Sequence, residues 1–220
     1  MRPTLMKMLM HRAAKPIFLA FSLLPFAWLV YAAFTNNLGA NPAEYLIRSL
    51  GEMTLRFLCV TLAITPLRVL TSTPALARFR RMAGLITYFY AVMHLLAYSW
   101  FDMGFDFTDI AKDIAKRPFI LVGFAGFVLL TPLAITSFNR AVKWMGARRW
   151  QQLHKLVYVI AGLAILHFFW MRAGKNNFAD VAVYGGILAL LLGWRLVRFA
   201  KLRWQGAPRA SGQPPSRARG

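Results

Sequence analysis

The sequence predicts an all-α membrane protein with six transmembrane helices. Of its 220 residues 58% are hydrophobic, and they concentrate in six long apolar runs. A helix needs about 20 mainly apolar residues to cross a bilayer, and lipid tolerates only helices and closed barrels. The runs are too long and too continuous for barrel strands, which alternate over short segments. The predicted spans are residues 16–34, 55–70, 82–101, 119–138, 153–171 and 181–199.

Charged residues predict the orientation of these spans. Most of the 27 lysines and arginines precede the first span, follow the second and fourth spans, or follow the sixth. Cytoplasmic loops carry such an excess of basic residues, so both termini are predicted to be cytoplasmic. The acidic residues all fall in the opposite loops or near the outer ends of spans, and none is predicted in the middle of a span: Glu44, Glu52, Asp102, Asp106, Asp109, Asp113 and Asp180.

Three regions follow from this pattern. Residues 1–15 form a basic cytoplasmic segment, residues 16–200 the six-helix domain, and residues 201–220 a basic tail that is rich in Pro, Gly, Ser and Arg and predicted to be disordered. The net charge of +20 is spread over inner loops and the tail, so we assign it to topology and anionic lipid headgroups, not to nucleic acid. The loops are short and lack dinucleotide-binding and P-loop motifs, so oxidation of NADPH would require another chain.

Two histidines carry the functional prediction. His94 follows Met82 by 12 residues and His167 follows Leu153 by 14, which is about 18 Å and about 21 Å of helix. Both spans run outward, so the rings lie within about 3 Å of the same depth. An ionisable residue inside a span indicates function, because burial without a partner is costly. Haem iron held between the two imidazoles is the favoured interpretation.

Other interpretations remain open. His94 and His167 could be neutral residues hydrogen-bonded to backbone carbonyls or to Tyr90 or Tyr98. His154 lies at the inner membrane boundary, where it could ligate a second haem or be merely interfacial.

The arginine doublet, Arg80 and Arg81, has two readings as well. It could mark topology or pair with haem propionates or a flavin phosphate. At the level of the whole protein, the alternative function is a small polytopic transporter or proton relay that uses the intramembrane histidines.

Four segments of the sequence resemble a known family. They are RFRRMAGLITYFYAVMHL at 78–95, GARRWQQLHKLVYVIAGLAILHFFW at 146–170, LPFAWLVYA at 24–32 and TLAITPLR at 61–68. They are similar to the MsrQ family, also called YedZ, and the resemblance covers roughly residues 17–200. That family consists of haem-binding membrane subunits of the bacterial MsrPQ systems, which repair methionine sulfoxide in periplasmic proteins. It belongs to the ferric reductase-like transmembrane group.

The resemblance implies an electron-transfer subunit with haem b and no substrate-reducing centre of its own. Electrons would pass from the quinone pool, or from a flavin such as FMN, across the bacterial inner membrane to the periplasmic molybdopterin reductase MsrP. The family's three histidines correspond to His94, His154 and His167, and its arginine doublet to Arg80 and Arg81. The outer loop at 102–117, with four aspartates, is the predicted docking surface for MsrP. Relative to ferric reductases and NADPH oxidases, the sequence lacks a flavin and NADPH domain and one of the usual four histidines.

Overall fold

The computed structural model describes residues 3–173 and 178–205, and every regular element in these residues is helical. A 3-10 turn, Pro74–Phe79, precedes α4, and a π-helical turn, Tyr98–Asp102, follows it. The helices are α1 (Pro3–Met10), α2 (Ala14–Phe34), α3 (Pro42–Leu70), α4 (Arg80–Ala97), α5 (Phe107–Lys116), α6 (Pro118–Ile135), α7 (Asn139–Met145), α8 (Ala147–Leu153), α9 (Leu156–Ala173) and α10 (Ala179–Gln205).

Six helical segments are long and apolar enough to cross a membrane, which confirms the predicted number of spans. They are Ala14–Phe34, Pro42–Leu70, Pro74–Asp102, Pro118–Ile135, Ala147–Ala173 and Ala179–Trp204. Large apolar side chains are exposed along them, as expected for surfaces that face lipid. The chain is therefore a multi-pass membrane protein.

The second span is longer than predicted, because α3 begins at Pro42 and not at residue 55. Its early turns contain charged residues that lowered the apparent hydrophobicity, yet these are paired one helical turn apart, a spacing that stabilises a helix. The pairs are Arg48–Glu44 at 2.6 Å and Arg56–Glu52 at 2.5 Å. Glu52, which the sequence prediction left outside the second span, therefore lies on α3, about 15 Å along the helix from Pro42.

Two other boundaries differ from the sequence prediction. The fifth span begins at Ala147, and His154 lies at a turn between α8 and α9. Helix α10 continues to Gln205, past the predicted end of the membrane domain at residue 200. Residues 206–220, the rest of the predicted disordered tail, lie outside the described residues.

The bundle is built around two helix pairs, α3 with α4 and α6 with α9. A buried cluster of aliphatic and aromatic side chains joins the pairs, and it includes Leu55, Leu58, Leu130, Ile160 and Phe168. Tyr90 is fully buried beside α2, and its hydroxyl donates a hydrogen bond to the carbonyl oxygen of Ser22 at 2.7 Å. These contacts fix the two pairs relative to each other and position the site between them.

Neighbouring spans run in opposite directions, so successive loops fall at opposite ends of the bundle. The residues at these two ends differ in charge. We call one end the acidic end: it contains the start of α3, the turn Tyr98–Asp102, helix α5 and the start of α10, which together carry the carboxylates. The opposite end, formed by the end of α3, the turn Pro74–Phe79 and helices α7 and α8, is the basic end.

Candidate functional site

The structure brings His94 and His167 together. His94 projects from α4 and His167 from α9, and their ring centroids are 6.2 Å apart with the ring planes inclined at 71°. The sequence placed both residues at similar depths, and the packing of the two helix pairs makes them face each other. Their pairing is the central feature of the site.

Each imidazole is held by a backbone carbonyl of the neighbouring helix. His94 Nδ1 donates to the carbonyl oxygen of Ile47 at 2.8 Å, and His167 Nδ1 donates to that of Phe119 at 2.6 Å. A carbonyl oxygen can only accept, so each Nδ1 carries a proton and each neutral ring keeps its lone pair on Nε2. This tautomer and orientation are those expected of a metal-binding histidine.

A glycine gives each histidine room. A Cβ atom at Gly51 would lie 3.1 Å from Cε1 of His94, and one at Gly123 would lie 2.8 Å from Nδ1 of His167. Each glycine follows the residue whose carbonyl accepts this hydrogen bond by four residues, one turn along α3 or α6. The two halves of the site therefore repeat one arrangement: a carbonyl that orients the histidine and a glycine against which its ring packs.

Both histidines border a cavity of about 470 Å³, within the range of about 300–1,000 Å³ usual for cofactor pockets. Most of its wall is apolar and comes from α3, α4, α6 and α9, including Leu55, Leu58, Ile160 and Phe168. Apart from the two histidines, Thr54 and Thr87, its polar lining belongs to the acidic end of the bundle: Asn41, Glu44, Arg48, Glu52, Tyr98, Asp102 and Arg117. The cavity thus has an apolar interior and a polar mouth.

The geometry fits a metal centre that supplies most of its own ligands. A metal ion at about 2.0–2.1 Å from each of two Nε2 atoms that point straight at it would hold the ring centroids about 6.3 Å apart. The observed separation of 6.2 Å matches this distance. Within the described residues no group of three or more His, Cys, Asp or Glu side chains could hold a metal ion. Haem, whose porphyrin contributes four nitrogens, suits a pair of axial imidazoles.

His154 lies apart from this pair. Its ring stacks on Trp150 with centroids 3.9 Å apart, and its Nδ1 donates to the carbonyl oxygen of Trp150 at 3.0 Å. Its Nε2 is buried and makes no hydrogen bond of ordinary geometry among the described residues, although the backbone carbonyl of Leu133 lies near the ring. An unpartnered buried ring nitrogen is compatible with a ligand role. The structure brings no second histidine to His154 among the described residues, which agrees with the sequence.

Arg80 and Arg81 lie away from the histidine pair. They begin α4, 14 and 13 residues before His94, which is about 20 Å of helix. Arg81 Nη1 donates to Asn139 Oδ1 at 2.7 Å, and both arginines line a second cavity, of about 390 Å³, at the basic end with Lys143. They therefore cannot contact a group bound between His94 and His167, and the sequence-based suggestion of haem propionates applies to them only for a second haem.

Sequence reasoning missed several residues of the first cavity. The carbonyls of Ile47 and Phe119 carry no side-chain signal. The two glycines do carry one, because Gly51 precedes His94 by 43 residues and Gly123 precedes His167 by 44, each in the span before its histidine. That spacing could have indicated a repeated pair of sites.

Comparison with known proteins places the chain in a family. Residues 17–165 match the model described as the ferric reductase like transmembrane component. A relative from Polaromonas naphthalenivorans is 72% identical over 190 residues, which cover 86% of this chain and 87% of the relative. Relatives from Ralstonia nicotianae and Caulobacter vibrioides are 50% and 44% identical, covering 89% and 87% of this chain and 90% and 87% of their own lengths. No solved structure matches.

The fold and the site define a class, a six-helix membrane bundle with paired histidines facing an internal cavity. All three relatives bear the name protein-methionine-sulfoxide reductase heme-binding subunit MsrQ. The chain belongs to the ferric reductase-like transmembrane family and, within it, to the MsrQ family. The resemblance predicted from the sequence is thus confirmed.

Proposed function

We propose that the chain is the haem b electron-transfer subunit of a methionine sulfoxide reductase system, with His94 and His167 as the axial ligands. The observation that carries this proposal is the pair of facing imidazoles, 6.2 Å apart, with both Nδ1 atoms hydrogen-bonded to carbonyls. The names of its relatives support both the haem and the reductase system. Bound haem would supply a one-electron couple within the membrane.

The residues of the chain would set the ligation and the surroundings of the haem iron. The carbonyls of Ile47 and Phe119 orient both rings and raise the basicity of Nε2. Two imidazoles would fill both axial positions and leave none for oxygen, as suits an electron carrier. The apolar wall of the cavity would surround the haem with side chains that offer water no hydrogen-bond partners.

We propose that electrons leave the bundle at the acidic end, on the periplasmic side of the inner membrane. The excess of basic residues at the other end supports this orientation, with both termini cytoplasmic. The acceptor would be MsrP, and helix α5 in the loop at 102–117 would form its docking surface, since its Asp109 is exposed and its Asp113 pairs with Arg117, which lines the cavity mouth.

The electron donor would be the quinone pool or FMN, at the basic end. The second cavity supports this assignment because Arg80, Arg81 and Lys143 place three cations around it. Such a site suits a flavin phosphate or the propionates of a second haem. Trp150 adds an aromatic wall to this cavity.

Electron transfer can be tested in vesicles. The full-length protein, reconstituted with a reduced quinone or FMN and with MsrP on the opposite side, is expected to support reduction of methionine sulfoxide. His94→Ala and His167→Ala should abolish that activity, and His11→Ala, at an exposed position before α2, should retain it. Full activity of either ligand variant, or of vesicles without this chain, would contradict the electron-transfer role.

A separate prediction concerns His154. If its buried Nε2 binds a second haem, His154→Ala should lower the ratio of haem to protein and leave the component held by His94 and His167 intact. The measurement is haem content by pyridine haemochrome, together with the optical spectrum. Unchanged haem content and spectrum would make His154 an interfacial residue.

A further inference from the structure

We infer that Arg48 and Arg117 bind the two propionates of the haem, so that its carboxylate edge faces the acidic end. The inference rests on the proposed ligation by His94 and His167. It starts from the shape of the cavity, whose apolar interior and polar mouth match a haem, an apolar disc with two carboxylates on one edge.

Arg48 and Arg117 are the two basic side chains that line the cavity within the described residues, apart from the histidines. Each lies beside a carbonyl that holds a histidine: Arg48 directly follows Ile47, and Arg117 precedes Phe119 by two residues. One arginine therefore stands next to each half of the site. Two guanidinium groups at one end of the cavity correspond in number and charge to the two propionates.

Existing ion pairs hold both arginines at the mouth. Arg48 Nη2 contacts Glu44 Oε1 at 2.6 Å, and Arg117 Nε contacts Asp113 Oδ1 at 2.9 Å. Asp113 also accepts a hydrogen bond from the Tyr98 hydroxyl at 2.7 Å, which links Arg117 to the cavity wall. A guanidinium has five N–H donors, so one carboxylate contact leaves donors for a second.

Because carboxylates also line the mouth, propionates could bind there only with the positive charge of these two arginines. Glu44, Glu52 and Asp102 also line the cavity, and their negative charge would repel propionates. Arg48 and Arg117 offset that repulsion, whereas Arg56 is engaged with Glu52 and with the Tyr184 hydroxyl. Removing either arginine would leave propionate and protein carboxylates facing each other.

The test uses full-length protein carrying its haem, with Arg48→Gln, Arg117→Gln and the double variant. Lys112→Gln is the matched control, because it removes a positive charge of α5 that is paired with Asp109 and does not line the cavity. The readout is the rate of haem transfer to excess apomyoglobin. We expect each single variant to lose haem about three- to tenfold faster, a range limited by the partial exposure of both arginines, and the control to be unchanged.

A second arm replaces the cofactor. Wild-type protein reloaded with haem dimethyl ester, which lacks the carboxylates, should release the ester faster than it releases haem b. The double variant should lose the wild-type preference for haem b over the ester and release haem b at least as fast as the ester, because the arginines are absent and the carboxylates at the mouth repel the propionates. The midpoint potential of the double variant should fall, since the loss of positive charge favours the ferric form.

Outcomes separate this inference from the haem proposal. Low-spin haem in the variants, released at the wild-type rate and with ester sensitivity retained, would overturn the propionate assignment alone. Wild-type protein without low-spin haem would overturn the ligation by His94 and His167, and the propionate assignment with it. If Arg48→Gln fails to fold, Arg48→Lys keeps the charge, and it should release haem more slowly than Arg117→Gln does.

Discussion

Replacing His94 or His167 by alanine is expected to remove most of the low-spin haem from a protein that still inserts in the membrane. One imidazole cannot provide both axial ligands, and the remaining ring would face a space of about the size of the lost side chain. We expect haem affinity to fall at least about tenfold, because even changes to the groups that orient a metal ligand cost about 10- to 100-fold in affinity. The measurement is low-spin absorption per mole of purified protein.

The control for this prediction is His11→Ala. His11 is exposed and accepts a hydrogen bond on Nδ1 from the backbone N–H of Ala13. Its loss should leave the haem spectrum unchanged. If His94→Ala or His167→Ala protein keeps the wild-type absorption, that residue is not an axial ligand.

Gly123→Ala is expected to be the most damaging substitution that leaves both histidines in place. The added Cβ would lie 2.8 Å from Nδ1 and 2.9 Å from Cε1 of His167, too close for any ordinary contact. The ring would have to move, and its hydrogen bond to the carbonyl of Phe119 would be lost or distorted. We expect about a tenfold or greater loss of haem affinity, as for other groups that orient metal ligands.

Gly51→Ala and Gly162→Ala serve as an intermediate case and a control for this prediction. At Gly51 the contact with His94 is less severe, 3.1 Å to Cε1, so we expect a smaller loss of haem. At Gly162, on the same helix as His167, a Cβ meets nothing within 4 Å, and alanine should have no effect on haem content. Equal haem affinity in all three variants would show that the glycines do not position the histidines.

The sequence predicted the pairing of His94 and His167 because both the spans and the depth of each residue can be counted along helices of known rise. It could not predict what holds the rings. The acceptors at Ile47 and Phe119 are backbone atoms, and any residue offers a carbonyl. Which helix lies against which histidine depends on the packing of α3 with α4 and of α6 with α9.

The polar mouth was also beyond the sequence prediction. Hydropathy placed Arg48 and Glu52 outside the second span. Averaging hydropathy over a window does not register that each of these two residues pairs with an opposite charge on its other side, four residues away. In the structure they lie on α3 and line the cavity beside the histidines. Arg80 and Arg81 were predicted near the start of the third span, where the structure also has them, and they do not line the first cavity.

The most direct test of the central claim is the carbon monoxide difference spectrum of dithionite-reduced His154→Ala protein. This variant removes any haem that His154 holds and leaves the site between His94 and His167. We predict sharp low-spin α and Soret bands that carbon monoxide does not change, because two imidazoles occupy both axial positions. Bis-histidine ligation would be contradicted if the carbon monoxide adduct accounted for all of the haem in this variant. It would also be contradicted if neither this variant nor the wild-type protein contained haem.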